Sequence, residues 1–133
     1  MEADFLILAD AAQVQGDKLY MLGGGWSVVW ARQFPVAHPM TVAIGVLVSW
    51  QETNQRHQFR LEILSADGES KANVEGEFEM GRPPGLPAGV AQRMMIAANL
   101  ALQLEGPGEF EAVLSLDGAV SKRASFSVVK RQQ

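Results

Sequence analysis

The run Gly108 to Gly118, GEFEAVLSLDG, constrains this chain more than any other segment. Phe110, Ala112, Leu114 and Leu116 alternate with Glu109, Glu111, Val113 and Ser115, an Asp-Gly step follows, and Ala124, Phe126 and Val128 resume the alternation. Period-two patterning sends one set of side chains to a core and the other to water, and Asp-Gly supplies the positive φ that a tight turn needs. The segment therefore predicts a half-buried antiparallel hairpin.

The same logic extends backwards. Phe59, Leu61 and Ile63 oppose Gln58, Arg60 and Glu62; Ala72, Val74, Gly76, Phe78 and Met80 oppose Asn73, Glu75, Glu77 and Glu79, and Asp67-Gly68 joins the two runs as a second hairpin. Val42, Ile44, Val46, Val48 and Trp50 share one face of a run whose other face, with Ala43, Gly45 and Leu47, is also largely apolar. That is the signature of a central strand covered at least in part on both sides. Met94, Ile96, Ala98, Leu100, Leu102 and Leu104 keep strict parity, and a helix built from this run would be apolar almost all round, so a strand is predicted, with room for a helical turn at Ala88 to Gln92.

Near the N-terminus, Phe5, Ile7 and Ala9 alternate with Leu6 and Leu8, a turn falls at Gln15 to Lys18, and a strand covers Leu19 to Leu22. Gly23-Gly24-Gly25 then predicts a bulge, a bend or a crossing between sheets before Trp26, Val28 and Trp30 continue on one parity, with core placement expected for the tryptophans. Gly81 to Gly89, with Pro83, Pro84 and Pro87, is a loop, because proline lacks the donor a central strand needs. The whole predicts a single all-β domain over residues 1–133, a two-layer antiparallel β-sandwich of about eight strands, immunoglobulin-like or jelly-roll/C2-like.

The 133 residues carry a formal net charge of -4 and no cysteine. An acidic chain whose nearest basic cluster is Lys122, Arg123, Lys130 and Arg131 speaks against nucleic acid, since phosphate-backbone affinity comes from clustered cations that release counterions. Without cysteine there is no disulfide framework and no thiolate chemistry. Met1 to Phe5 carries acids where a secretory signal is basic, and no run is long enough to cross a bilayer, so a cytoplasmic protein without membrane insertion is expected.

Ala3-Asp4-Phe5-Leu6-Ile7-Leu8-Ala9-Asp10, Gly16-Asp17-Lys18-Leu19-Tyr20-Met21-Leu22-Gly23-Gly24-Gly25-Trp26 and Gly81-Arg82-Pro83-Pro84-Gly85-Leu86-Pro87 carry a resemblance. Together with Phe34-Pro35, His38-Pro39, Gly76-Glu77-Phe78 and Pro107 to Phe110, they resemble a family of short, uncharacterised bacterial proteins over nearly the whole chain. The resemblance implies a stand-alone β-sandwich and offers no catalytic residue or cofactor to carry over.

The chemistry-bearing residues give little. His38 and His57 are the only histidines, and neither has a nucleophile signature nearby, so both are read as structural or surface residues, His57 at a loop. The glycine triplet lacks the Lys-Ser or Lys-Thr of a phosphate loop. Asp10, Asp17, Asp67, Glu69 and Asp117 sit where turns prefer such residues, so no metal and no cofactor is expected. What retains functional interest is Trp26 and Trp30, as anchors if exposed, and the stiff loop with Arg82, Pro83, Pro84, Leu86 and Pro87. The expectation is a non-enzymatic binding or assembly module, using that loop or a sheet edge to hold a protein partner or a second copy. A small-ligand or carbohydrate binder using Trp26 or Trp30 is the rival, and an enzyme built around His38 or His57 the more distant one.

Overall fold

The computed structural model describes residues 1–132. Among them run nine strands: β1 (Glu2–Gln15), β2 (Lys18–Gly24), β3 (Val28–Ala31), β4 (Val36–Val48), β5 (Arg56–Ser65), β6 (Ser70–Glu79), β7 (Gln92–Leu104), β8 (Gly108–Leu116) and β9 (Ala119–Lys130). A single 3-10 turn, Trp50–Glu52, interrupts them. The strands form a four-stranded sheet ordered β2-β1-β4-β7 and a five-stranded sheet ordered β3-β9-β8-β5-β6, one of the two curled into a half-barrel.

Both hairpins form as the alternation predicts. Phe59 pairs with Gly76 and Leu61 with Val74 across β5 and β6, and Phe110 pairs with Phe126 across β8 and β9. At the second turn Asp117 and Gly118 take φ of 48° and 84°, the two positive values of a type I′ turn. The 92–104 run is a strand, paired with β4 along its whole length. Ala88 to Gln92 holds no helical turn: Val90 N–H donates to Pro87 C=O at 3.3 Å and the strand begins at once.

The layers meet on the predicted parity. Leu6, Leu8, Val42, Ile44, Val46, Leu100 and Leu102 face Leu61, Ile63, Ala112, Leu114, Phe126 and Val128. Burying each large side chain contributes roughly 1.5–3 kcal/mol, which is the main force holding the sheets together. The glycine triplet and the proline-rich loop are both crossings between sheets, since β2 and β3 lie in different sheets, as do β6 and β7.

The sandwich expected with about eight strands has nine, and one pairing in it, Val28–Ala31 with β9, is parallel. Two local expectations fail for identifiable reasons. The irregular Trp26–Ser27 step resets the parity of that strand, so Val29 and Ala31 are buried while Trp30 is 59% exposed. Trp50 leaves its strand for the 3-10 turn instead of extending β4.

β1 does not run straight. Its first residue, Glu2, pairs with Leu47, which pairs in turn with Arg93. Val14 and Asp17, by the other end of the strand, line one groove with Arg93, Met94 and Met95. Twelve extended residues would separate these points by ~40 Å, so the β1–β2 hairpin turns back toward the start of β7. Small side chains permit this curl: Gly45, Ala43 and Ala97 form a low strip on the outer surface of β4 and β7, and the Phe5 ring lies directly on Gly45. Ala43 and Thr41 are consequently buried on the face that points away from the sandwich core.

Candidate functional site

The pole of the molecule at the turn Trp50–Glu52 gathers polar side chains from four parts of the chain. Ser49 follows β4 and caps the turn; its N–H and its hydroxyl both donate to Glu52 Oε1, at 3.0 and 2.8 Å. The α-ammonium of Met1 lies 2.8 Å from Glu52 Oε2. Burial alone would raise the Glu52 carboxyl, but these hydrogen bonds, from the ammonium first and then from Ser49, bring it down to about 2.

His57 is the centre of this pole. Its parity is that of Phe59, Leu61 and Ile63, so β5 turns it inward, where it is 5% exposed, instead of leaving it in a loop. Nδ1 lies 2.8 Å from Asp117 Oδ2, and Nε2 lies 2.8 Å from the Glu52 carbonyl. Both partners are acceptors, the Asp117 carboxylate and the Glu52 carbonyl, an arrangement that favours a proton on each ring nitrogen. The Glu52 carbonyl raises its pKa, burial opposes, and the Asp117 carboxylate adds to the rise. Asp117 is held below its ordinary value, first by the Gln58 N–H, which donates to Oδ1 at 2.8 Å, and then by His57. Asp117 is thus a fastening of the turn to β5 as well as a turn former.

The acid limb of stability follows. A lowered carboxyl stabilises the fold fully above its unfolded value and loses that contribution as pH falls through the folded value. Glu52 should therefore weaken the fold between pH 4.5 and about 2, and Asp117 should add to the loss below 3.8. Thermal melts of the wild type and Glu52→Gln should differ most near pH 5 and converge toward pH 2. A constant difference across that range would show that Glu52 acts by packing alone.

The proline-rich loop is fastened to the same turn. Arg82 Nε donates to Thr53 Oγ1 at 2.6 Å, Arg82 Nη2 donates to the Trp50 carbonyl at 2.9 Å, and the guanidinium carbon stands 4.0 Å from the Trp50 ring centroid. Such stacking contributes about 0.5–1 kcal/mol at an exposed site. Gln92 Nε2 donates to the Gly81 carbonyl at 2.8 Å and closes the other end. Pro83, Pro84 and Pro87 remain exposed, while Leu86 is half-buried.

Beside this fastened loop lies a groove of about 610 Å³. Its walls are Gly81, Arg82 and Pro83 on one side and the returning hairpin, with Val14 and Asp17, on another; Met80 and Gln92 to Met95 complete it. Four successive residues of β7 line it, so it wraps around the strand and does not lie on one face. β7 ends its sheet, so one side of its backbone has no strand partner.

The sequence-derived candidates thus fall on separate surfaces. Arg82 and Pro83 join the groove, whereas Trp30 lies on β3, at the far edge of the sheet from β6, beside Val129. Trp26 is half-buried, edge-on to both His38 and Phe126 at 5.8 Å between centroids. Burial lowers the His38 pKa, partly offset by Asp10, and its Nε2 is buried without a partner among the described residues, like Nε1 of Trp26. No group of three or more potential metal ligands occurs among the described residues. Sequence reasoning missed His57, although its inward parity was legible, and missed the Met80, Met94 and Met95 grouping, which only the crossing between sheets creates.

The fold and this pole define an all-β, two-sheet protein with one clasped crossover and an open strand edge beside it. The chain belongs to a family of unknown function, DUF6941, whose profile matches residues 4–129. That span agrees with the resemblance carried by the glycine-tryptophan and proline-rich motifs. No curated protein matches the chain.

Proposed function

We propose that the protein is a non-enzymatic binding module that takes an extended apolar segment of a protein partner into the groove at the start of β7. The observation that carries this reading is the groove's position on an unpaired strand edge: a bound segment can hydrogen-bond to the β7 backbone and place alternate side chains among Met80, Met94 and Met95. Methionine is suited to this because its unbranched, polarisable side chain adapts to varied partners. Arg93 is paired with Asp4 at 2.7 Å and Arg82 is turned onto Trp50, which leaves Asp17 and Glu79 without an ion pair among the described residues. A segment with a flanking lysine or arginine suits that rim.

Against an enzyme stand the two histidines themselves. Both nitrogens of His57 are engaged, by Asp117 and the Glu52 carbonyl, and no hydrogen bond ties His38 to an acid or hydroxyl among the described residues. A second reading keeps one specific observation: Trp30 is largely exposed beside Val129 and offers a flat platform for a sugar ring.

Peptides selected from a random display library on the purified protein discriminate these readings. Binding by apolar, strand-forming peptides should weaken at least tenfold in Met95→Glu and stay unchanged in Trp30→Ala. Retention in Met95→Glu overturns the groove. A ligand lost only in Trp30→Ala favours the platform, and one lost only in Leu22→Glu moves the contact to the free β2 edge, where Tyr20, Met21 and Leu22 are exposed.

A further inference from the structure

We propose that His57 is a proton-operated clasp: its doubly protonated ring holds the turn at Trp50–Glu52, and through that turn the Arg82 wall of the groove, in one position, and loss of one proton releases it. The inference concerns the regulation of the groove proposed above, but its test requires no ligand.

The geometry forms an unbroken chain of contacts. Asp117, fixed to β5 through Gln58 N–H, takes the Nδ1 proton of His57; the Nε2 proton goes to the Glu52 carbonyl; Glu52 and Thr53 are adjacent; and Thr53 Oγ1 with the Trp50 carbonyl holds Arg82. Thr53 itself donates to the Trp50 carbonyl at 2.6 Å, so the turn and the arginine share that acceptor. Phe78 of β6 packs on the ring at 5.5 Å between centroids, and its neighbours Glu77 and Glu79 point to solvent. The charged groups that face His57 are Asp117 from the β8–β9 turn and Glu52 from the 3-10 turn. The Glu52 carboxylate is bound by Met1 and Ser49, so Asp117 is the principal counter-charge.

When the imidazolium loses a proton, the carboxylate retains the one on Nδ1, because that proton bridges to a full negative charge. The Nε2 proton leaves to solvent, and a nitrogen lone pair then faces the lone pairs of the Glu52 carbonyl. A hydrogen bond becomes a repulsion where β5 holds the turn, whose other fastenings are Ser49 and Met1 on the Glu52 carboxylate and Asn54 N–H on the Met80 carbonyl at 2.7 Å. The direction follows from the raised pKa: the clasp is closed at low and neutral pH and opens as pH rises through the folded-state value.

Nitrogen-15 NMR across pH 5 to 10 tests this. His57 should show protons on both ring nitrogens at neutral pH, and the protected Arg82 Nε–H signal should be lost with the same midpoint at which His57 titrates. In Asp117→Asn the two midpoints should move down together by a unit or more. An Arg82 Nε–H signal that persists through the His57 titration overturns the proposal, and so does a His57 with one bare nitrogen at neutral pH. Both outcomes are readable in the wild type should the variant fail to fold. Peptide affinity enters neither, so a failed groove and a failed clasp are distinguishable.

Discussion

Replacing Phe126 with alanine is expected to destabilise the protein by about 3–5 kcal/mol, the range for deleting a buried aromatic ring from a core that collapses only partly. Phe126 is 2% exposed and joins two aromatic neighbours, stacked on Phe110 at 5.5 Å and met edge-on by Trp26 at 5.8 Å. Its loss leaves a cavity between β9 and the crossing that follows the glycine triplet. Chemical denaturation should show the midpoint falling with little change in slope, and the melting temperature should drop by roughly 10–20 °C for a chain of this size. Phe126→Leu should recover more than half of the loss. A cost under 1 kcal/mol for the alanine variant would place the core elsewhere.

The second large effect is expected at Gly45. A Cβ built there meets the Phe5 ring, and Gly45 pairs with Phe5 on one side and Met95 on the other. Valine must therefore displace the ring from the strip over which the four-stranded sheet curls. Overpacking of a closed site costs typically 1–3 kcal/mol, and the obstacle here is the Phe5 ring itself, all three nearest atoms belonging to it. In a double-mutant cycle Phe5→Ala should relieve much of the Gly45→Val penalty, with a coupling of about 1 kcal/mol or more. Additive effects would mean that the ring and the glycine are independent.

Much of the sandwich was legible because period two leaves little room for error. The parity of Phe59 to Ile63 and of Phe110 to Leu116 assigns every one of those side chains to a face, and the Asp-Gly steps fix where the chain turns. The strand at 92–104 was recoverable against its helical composition for the same reason. What the pattern could not carry was long-range. The parallel pairing of Val28–Ala31 with β9 depends on a partner about a hundred residues away, and the parity change at Ser27 depends on backbone geometry that no side chain announces.

The site was less legible than the fold. The loop with Arg82 was identified as contact-ready from its stiffness, but stiffness says nothing about where an arginine turns, and this one is spent on Trp50 and Thr53. Asp117 was explained by its turn alone, and its carboxylate also holds Nδ1 of the buried His57. Side chains that serve local geometry and a distant partner together look in sequence like the local role.

The pairing of β3 with β9 also has a bearing on how the chain is made. Val28–Ala31 has no sheet partner among the described residues until Ser127–Lys130 has been synthesised, so the five-stranded layer stays open on that side until the last of the nine strands is made. β1 and β4 can pair long before, and their apolar inner surface must then wait for its cover. Contacts so distant in sequence slow folding and prolong exposure of unpaired edges. A chain halted before β9 therefore leaves both β3 and β8 with an unpaired edge.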